Sequence, residues 1–311
     1  MVDNRIQALI DNVEKIIVGK RESIELVVAA MLAGGHVLIE DVPGVGKTQL
    51  VSALTNSCNG IFGRIQMTPD VMPTDITGFT MINQGSGASE FKKGATFCNF
   101  LLADEINRSS PKSQSALLEI MEEEQVSVDG KTYELPKPFM VLATQNPVET
   151  FGTYHLPEAQ MDRFIIKMSI GYPDKMDELD ILKRNEESQK PKDLTAVITC
   201  GEIEELKKNI INVKCSAAIQ TYIIDIVDST RNADFIKLGV SPRGSIAMNR
   251  MAKAYAFVKG RDYVLPDDVK KLAPYVFAHR IILTSKGKTV VASNEEAIAK
   301  LMKFITVLGE N

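Results

Sequence analysis

The stretch that most constrains this chain is His36 to Leu50, HVLIEDVPGVGKTQL. The apolar run Val37-Leu38-Ile39 reads as a buried strand that stops at the turn Glu40-Asp41-Val42-Pro43. Gly44, Val45, Gly46, Lys47 and Thr48 follow, and Gln49-Leu50-Val51-Ser52-Ala53-Leu54 continues as a helix. Strand, glycine loop, lysine, hydroxyl and helix in that order form a cradle for phosphate. Glycines let backbone N–H groups approach phosphate oxygens, the helix N-terminus adds positive potential, and the lysine reaches the terminal phosphates. Thr48 places a hydroxyl where it can ligate Mg²⁺. The full pattern asks for a glycine where this chain has Asp41. A glycine-rich turn with a solvated lysine is the alternative that the loop alone leaves open.

A chain of 311 residues, 44% hydrophobic and 24% charged, can bury the core of two domains. Its net charge of -4 argues against a nucleic-acid or anionic-membrane partner. Cys58, Cys98, Cys200 and Cys215 are scattered without a C-x-x-C pair, so they read as small core residues and reduced thiols of a cytoplasmic chain. His36, His155 and His279 lack the spacing of metal ligands. The N-terminal stretch is a charged amphipathic helix rather than a signal peptide. The most apolar run, Leu26 to Ile39, is broken by Gly34-Gly35-His36 and is too short to span a bilayer.

Ile6, Leu9, Ile10, Val13 and Ile17 recur at helical spacing, and a second helix is expected over Ser23–Ala33. A second strand falls near Ile61–Met67, and Thr68–Gly94, rich in Pro, Gly, Thr, Asn and Ser, reads as a long irregular excursion. The apolar run ending at Ala103 meets Asp104-Glu105, and Pro111 suits the first turn of the helix that follows. Gln125–Val128 and Thr132–Leu135 alternate about Asp129-Gly130, a hairpin pattern. Phe139–Thr144 and Phe164–Met168 are further buried strands. Strands alternating with helices predict a three-layer αβα core with a parallel sheet over residues 1–173. Beyond Gly171-Tyr172-Pro173 the pattern turns helical (Met176–Glu187, Ile203–Asn209, Ala217–Thr230, Ser245–Lys259, Asp267–His279), so residues 174–311 are expected to form a smaller all-α domain.

Five positions carry chemistry. The loop is the first. Asp104-Glu105, at the carboxyl edge of a buried strand, offers one carboxylate to Mg²⁺ and one to an attacking water. Capping the next helix is their plainer role. Asn146 ends another apolar strand and can orient a water at a γ-phosphate, or simply turn the chain before Pro147. Arg163 can stabilise charge on a transferring phosphoryl group, or pair with Asp162 or Glu158. Arg243 opens a helix of the second domain, where a solvated loop arginine is the alternative.

Taken together the chain resembles the MoxR-type AAA+ ATPases. The matching motifs are EDVPGVGKT (Glu40–Thr48), TPDVMPTDITG (Thr68–Gly78), LLADEINRSSPKSQSALLEIMEE (Leu101–Glu123), VSVDGKTYELP (Val126–Pro136), ATQNPVETFGTYHLPEAQMDRF (Ala143–Phe164) and SPRGS (Ser241–Ser245). The resemblance spans nearly the whole chain, and in that family an aspartate is common where Asp41 stands. It implies ATP and Mg²⁺ as cofactors. Asp41, Val42, Pro43, Gly44, Val45, Gly46, Lys47, Thr48 and Gln49 would form the nucleotide loop. Thr48 and Asp104 would hold the metal. Glu105 would be the base, Asn146 the first sensor, Arg163 an arginine finger for a neighbouring subunit and Arg243 the lid's sensor of the γ-phosphate. Val18-Gly19 would contact adenine, although Lys20 stands where the family often has Gln. Residues 76–94 would be the helix-2 insert, the Asp129-Gly130 hairpin would face a pore, and Arg108 would approach the subunit interface. A homo-oligomer, typically a hexameric ring, remodelling a client beside a von Willebrand A domain partner is the implied assembly. Two other readings stay open. A nucleic-acid-remodelling motor has only Lys92-Lys93 in its favour, and a nucleotide-gated scaffold is opposed by an intact Glu105.

Overall fold

The computed structural model describes residues 3–82, 88–147, 152–186 and 191–305. Helices α1 (Asn4–Glu14) and α2 (Arg21–Leu32) lead into β1 (His36–Glu40), the glycine loop and α3 (Lys47–Ser57). Then come β2 (Phe62–Gln66), α4 (Pro73–Thr77), β3 (Gly78–Ile82), β4 (Ser89–Lys93) and β5 (Phe100–Asp104). A 3-10 turn, Ile106–Arg108, precedes α5 (Pro111–Glu123), whose start is fixed by Ser110 capping the Ser113 N–H and by Pro111 in the first turn. Next are β6 (Gln125–Val128), β7 (Lys131–Glu134), β8 (Met140–Gln145), α6 (Glu158–Met161) and β9 (Phe164–Met168). The remainder comprises α7 (Lys175–Glu186), α8 (Cys200–Ile210), α9 (Ala217–Asn232), β10 (Ile236–Leu238), α10 (Pro242–Val258), α11 (Pro266–Phe277), β11 (Ile282–Leu283), α12 (Gly287–Val290) and α13 (Asn294–Met302).

Five strands pair in parallel in the order β2-β5-β8-β1-β9. The central strands are buried on both faces, which is why they read as unbroken apolar runs. Their pleat sorts side chains between two cores. Val37, Ile39, Phe100, Leu102, Met140 and Leu142 join the core under α1, α2 and α3. Leu38, Leu101, Ala103, Val141 and Ala143 face α5 and Val126. Strand β2 lies at the sheet's edge and alternates between exposed and half-buried positions.

Thr68–Gly94 departs from the irregular excursion expected of it. It holds α4 and an antiparallel hairpin of β3 and β4, with Gly78 opposite Lys93; residues 83–87 of the expected insert lie outside the described ones. The polar composition that suggested a loop belongs to a largely exposed hairpin, which packs on α4 and sets Phe91 between Phe97 and Tyr133. Phe91 stacks on Tyr133 of β7 with ring centroids 4.1 Å apart. The Asp129-Gly130 turn is as expected, with φ of 51° and 74° joining β6 to β7.

The C-terminal part is helical and carries the small antiparallel pair β10–β11. It packs on the sheet layer through α10 against α2 and through α11 against β9. Arg250 donates to the carbonyls of Ala33 and Gly34 at the end of α2, and Lys259 pairs with Glu25 at 2.6 Å. Among the described residues no helix is long and apolar enough to cross a membrane.

Candidate active site

The parallel sheet brings three connections to one edge. Register pairs Glu40 with Gln145 and Gln66 with Asp104, so the turns after β1, β5 and β8 leave the sheet together at its carboxyl edge. There they enclose a cavity of about 460 Å³ lined by Pro43, Gly44, Gly46, Lys47, Thr48, Gln49, Arg64, Gln66, Asp104, Glu105 and Asn146. Gly44 and Gly46 hold φ of 90° and 91°, the left-handed region that lets the loop turn its amides inward at the start of α3.

Lys47 folds back over the loop, its Nζ donating to the Asp41 carbonyl at 2.8 Å. Partial burial lowers its pKa, opposed by the nearby charges of Asp41, Asp104 and Glu105. The Asp41 carboxylate points away from the cavity. Its Oδ2 accepts from the amides of Ile170 at 2.6 Å and Gly171 at 2.9 Å and from the Ser169 hydroxyl at 3.1 Å. The residue that breaks the glycine pattern thus ties the loop to the chain leaving β9. It serves the cradle through its carbonyl, which accepts from Lys47, and through a charge that favours the protonated lysine. Val42 and Val45 do not line the cavity, and Val45 packs on the core.

Asp104 closes β5. Its Oδ1 accepts from Thr144 Oγ1 at 2.6 Å and its Oδ2 from Arg64 Nη2 at 2.9 Å. Glu105 adopts a left-handed φ of 56°, costly for a residue with a Cβ and of a kind that concentrates at functional sites. That backbone turns its side chain into the cavity, where Oε2 accepts from Gln66 at 2.9 Å and Arg108 at 3.1 Å. Asn146 is buried on the same wall. Val148 to Phe151, beyond it in the motif, lie outside the described residues. Thr48 and Asp104 offer one hydroxyl and one carboxylate, and the described residues contain no group of three or more His, Cys, Asp or Glu that could hold a metal alone. Such a donor set fits Mg²⁺, which takes much of its shell from phosphate oxygens and water.

Arg163 and Arg243 lie elsewhere. Arg163 immediately precedes β9, whose Phe164 pairs with His36, so it sits at the opposite, amino edge of the sheet. The two arginines line a separate cavity of about 380 Å³ with Glu122, Glu124, Asp162, Arg250 and Arg280. Both guanidinium groups meet Glu122, Arg163 at 3.0 Å and Arg243 at 3.2 Å, and Arg163 also donates to the Leu118 carbonyl.

Comparison with known proteins places this geometry. Residues 36–166 match the model of the ATPase family associated with various cellular activities (AAA), and residues 228–301 match an AAA lid domain. The chain is 47% identical over 298 residues to the uncharacterized protein YeaC of Bacillus subtilis, covering 96% of this chain and 93% of YeaC. It is 39% identical over 311 residues to chaperone MoxR1 of Mycobacterium tuberculosis, covering 97% of this chain and 82% of that one. The crystal structure of a protein from Cytophaga hutchinsonii described as a candidate ATPase superposes with a TM-score of 0.91 at 41% identity, covering 98% of this chain and 95% of that one. The chain belongs to the MoxR family of AAA+ ATPases.

Within this AAA+ frame Arg243, expected from the sequence to contact a γ-phosphate from the lid, lies at the far edge of the sheet from Lys47. The lid seats α10 on α2 and β9, and this holds the start of α10 beside Arg163. Val18 and Gly19 lie on the connection between α1 and α2, near the loop but outside its cavity. Ile17 Cδ1 lies 3.9 Å from where a Cβ on Gly46 would stand. Arg108 is turned to Glu105 of its own chain. Three groups at the AAA+ site were missed in the sequence: Thr144, Arg64 and Gln66. The polar Arg64 and Gln66 within an otherwise apolar β2 were their only signal.

Proposed function

We propose that this MoxR-family protein hydrolyses ATP at sites shared between subunits of a ring, with residues 1–173 as nucleotide-binding core and 174–311 as lid. The observation that carries the reading is the split of one reaction's parts between two edges of the sheet. Lys47, Thr48, Asp104, Glu105 and Asn146 line one cavity, while Arg163 and Arg243 cluster on the opposite edge. A ring stacks one edge of each subunit against the other edge of the next, so the arginines of one chain meet the phosphate cavity of its neighbour.

Lys47 and the loop amides would bind the β- and γ-phosphates, with Thr48 and Asp104 holding Mg²⁺. The metal supplies charge neutralisation on the phosphate oxygens. Glu105 takes the proton of the attacking water that Asn146 orients. Arg163 and Arg243, supplied by the neighbour, stabilise the charge that builds on the γ-phosphoryl group, a contribution of roughly 10³–10⁵ in rate for such arginines. The reading extends to a hexamer in the cytoplasm whose turnover drives chaperone-like remodelling of a client, with a von Willebrand A domain protein as the partner the family resemblance supplies.

The test is ATPase rate per subunit against protein concentration for wild type, Glu105→Gln and Arg163→Ala. Shared sites require the wild-type rate to rise with concentration and both variants to lose it. A rate independent of concentration, with Arg163→Ala unaffected, sinks the shared-site reading. Pull-down with Glu105→Gln, which should bind ATP without turnover, tests the client. Failure to enrich any von Willebrand A protein removes that partner.

A further inference from the structure

Arg163 belongs to the sheet layer and Arg243 to the helical lid, yet their guanidinium groups converge on one carboxylate. Packing of α10 on α2 and β9 seats the lid, but the aim of the two guanidinium groups needs a closer constraint. Glu122 alone is a weak candidate, because its side chain is 42% exposed and exposed ion pairs hold little.

The residue beside Arg163 supplies a stronger link. Asp162 Oδ1 accepts from Arg280 Nε at 2.6 Å, and Oδ2 accepts from Ser241 Oγ at 2.9 Å. Ser241 is the cap of α10, two residues before Arg243. The Arg280 side chain is 3% exposed and directs most of its remaining donors to the chain around Arg163: Nη2 to the carbonyls of Asp162 at 3.2 Å and Phe164 at 2.7 Å, and Nη1 to Ile165 at 3.2 Å, with Nη1 also meeting Val276 and His279 on its own side. The first turn of α10 rests against the same side chain. A Cβ at Gly244 would lie 3.1 Å from Arg280 Cδ and 2.3 Å from Val240 Cγ1. One buried charged pair therefore grips the backbone on both sides of Arg163 and, through Ser241, the helix that begins with Arg243. A buried pair of this kind is weak evidence for net stability, and its directed, charge-assisted hydrogen bonds add geometric specificity.

We propose that Asp162, with Arg280 and Ser241, is a positioning device that presents Arg163 and Arg243 as one rigid pair to the neighbouring subunit. Asp162 touches no nucleotide. It acts through the two arginines, and its role rests on the shared-site reading above. Long arginines reaching across an interface lose rate steeply when misplaced, by about 10²-fold for 1 Å in unfavourable cases.

The experiment uses the full chain with Asp162→Asn and Ser241→Ala. Asp162→Asn leaves Arg280 buried without its counter-charge, so Ser241→Ala, which removes one donor only, runs beside it. Both variants should bind a fluorescent ATP analogue within about twofold of wild type while kcat falls, by roughly 10- to 100-fold for Asp162→Asn and less for Ser241→Ala. Each is then mixed with Glu105→Gln, whose own site is dead but whose arginines are intact. Sites of Asp162→Asn or Ser241→Ala subunits that receive arginines from Glu105→Gln neighbours should regain turnover, as should those of Arg163→Ala in the control mixture. Activity in the control but none in the Asp162→Asn or Ser241→Ala mixtures overturns the positioning role, as does wild-type kcat in both variants alone. No gain in the control overturns the shared-site reading itself.

Discussion

The Thr144 hydroxyl donates to Asp104 at 2.6 Å and accepts from the Glu105 amide at 2.9 Å, so one side chain on β8 fixes both acids at the end of β5. Thr144 is 1% exposed, and its two partners are the carboxylate proposed to hold the metal and the backbone of the proposed base. Valine has the same shape without the hydroxyl. Thr144→Val should lose about 1–3 kcal/mol of stability through the orphaned amide. Its kcat should fall roughly tenfold or more as Glu105 loosens. Chemical denaturation and steady-state ATPase rates check both. A stable variant with wild-type turnover removes Thr144 from the site.

His36 spans the sheet and α5. Its Nδ1 accepts from the Val141 amide at 3.0 Å and its Nε2 donates to the Met121 carbonyl at 2.8 Å, an arrangement that requires the neutral ring. Burial pushes its pKa down to about 4, with the cations Arg250 and Lys207 adding to the effect and the Met121 bond opposing it. His279 is shifted the same way by burial and the adjacent Arg280. A histidine whose folded pKa is depressed is protonated first in the unfolded chain. Its stabilisation is complete above the unfolded value of about 6.5 and is lost as pH falls from there toward the folded value. His36 alone should cost about 2 kcal/mol between pH 7 and pH 5. His36→Gln keeps a donor and an acceptor without the titration, so urea unfolding should show a correspondingly smaller drop over that range. An undiminished drop assigns the acid sensitivity to other groups.

What was legible in the sequence was whatever depends on neighbours in the chain. The glycine loop, the Asp129-Gly130 turn and the acid pair after an apolar strand each declare themselves within a few residues. The order β2-β5-β8-β1-β9 does not, because parallel partners come from distant segments. For the same reason Thr144 looked like the polar end of a strand until the sheet placed it against Asp104. Helix α13 does start on a local signal, the capping pattern of Ser293 and Glu296. Which cavity Arg243 lines is not legible either, because that depends on where the lid sits, and the seat is set by long-range packing of α10 on α2.

Gly19 combines a left-handed φ of 70° with close packing, since a Cβ there would lie 1.8 Å from the Asp177 carboxylate of α7. The two costs separate. The carboxylate is the end of a flexible side chain and can swing away, whereas the backbone conformation penalises any L side chain by about 1–2 kcal/mol. Gly19→Ala should therefore lose stability of that size, and Asp177→Ala added to it should recover little. Full recovery in the double variant would show the contact to be the dominant cost.

Arg64 pairs with Asp104 in the cavity beside the glycine loop, at 2.9 Å, with its own side chain 49% exposed. It occupies the carboxylate oxygen that Thr144 leaves open. A metal held by Asp104 has to share or displace that contact, and two positive charges near one carboxylate repel. A half-exposed pair of this kind is worth at most about 1 kcal/mol, a factor of roughly five. Arg64→Met keeps the apolar stem on β2 and removes the charge. The Mg²⁺ concentration needed for half-maximal binding of an ATP analogue should fall, by about two- to fivefold, with metal-free binding little changed. A rise in the Mg²⁺ requirement would instead mean that Arg64 orients Asp104 or holds phosphate itself. The titration separates the two because one removes a competitor for the carboxylate and the other removes a support.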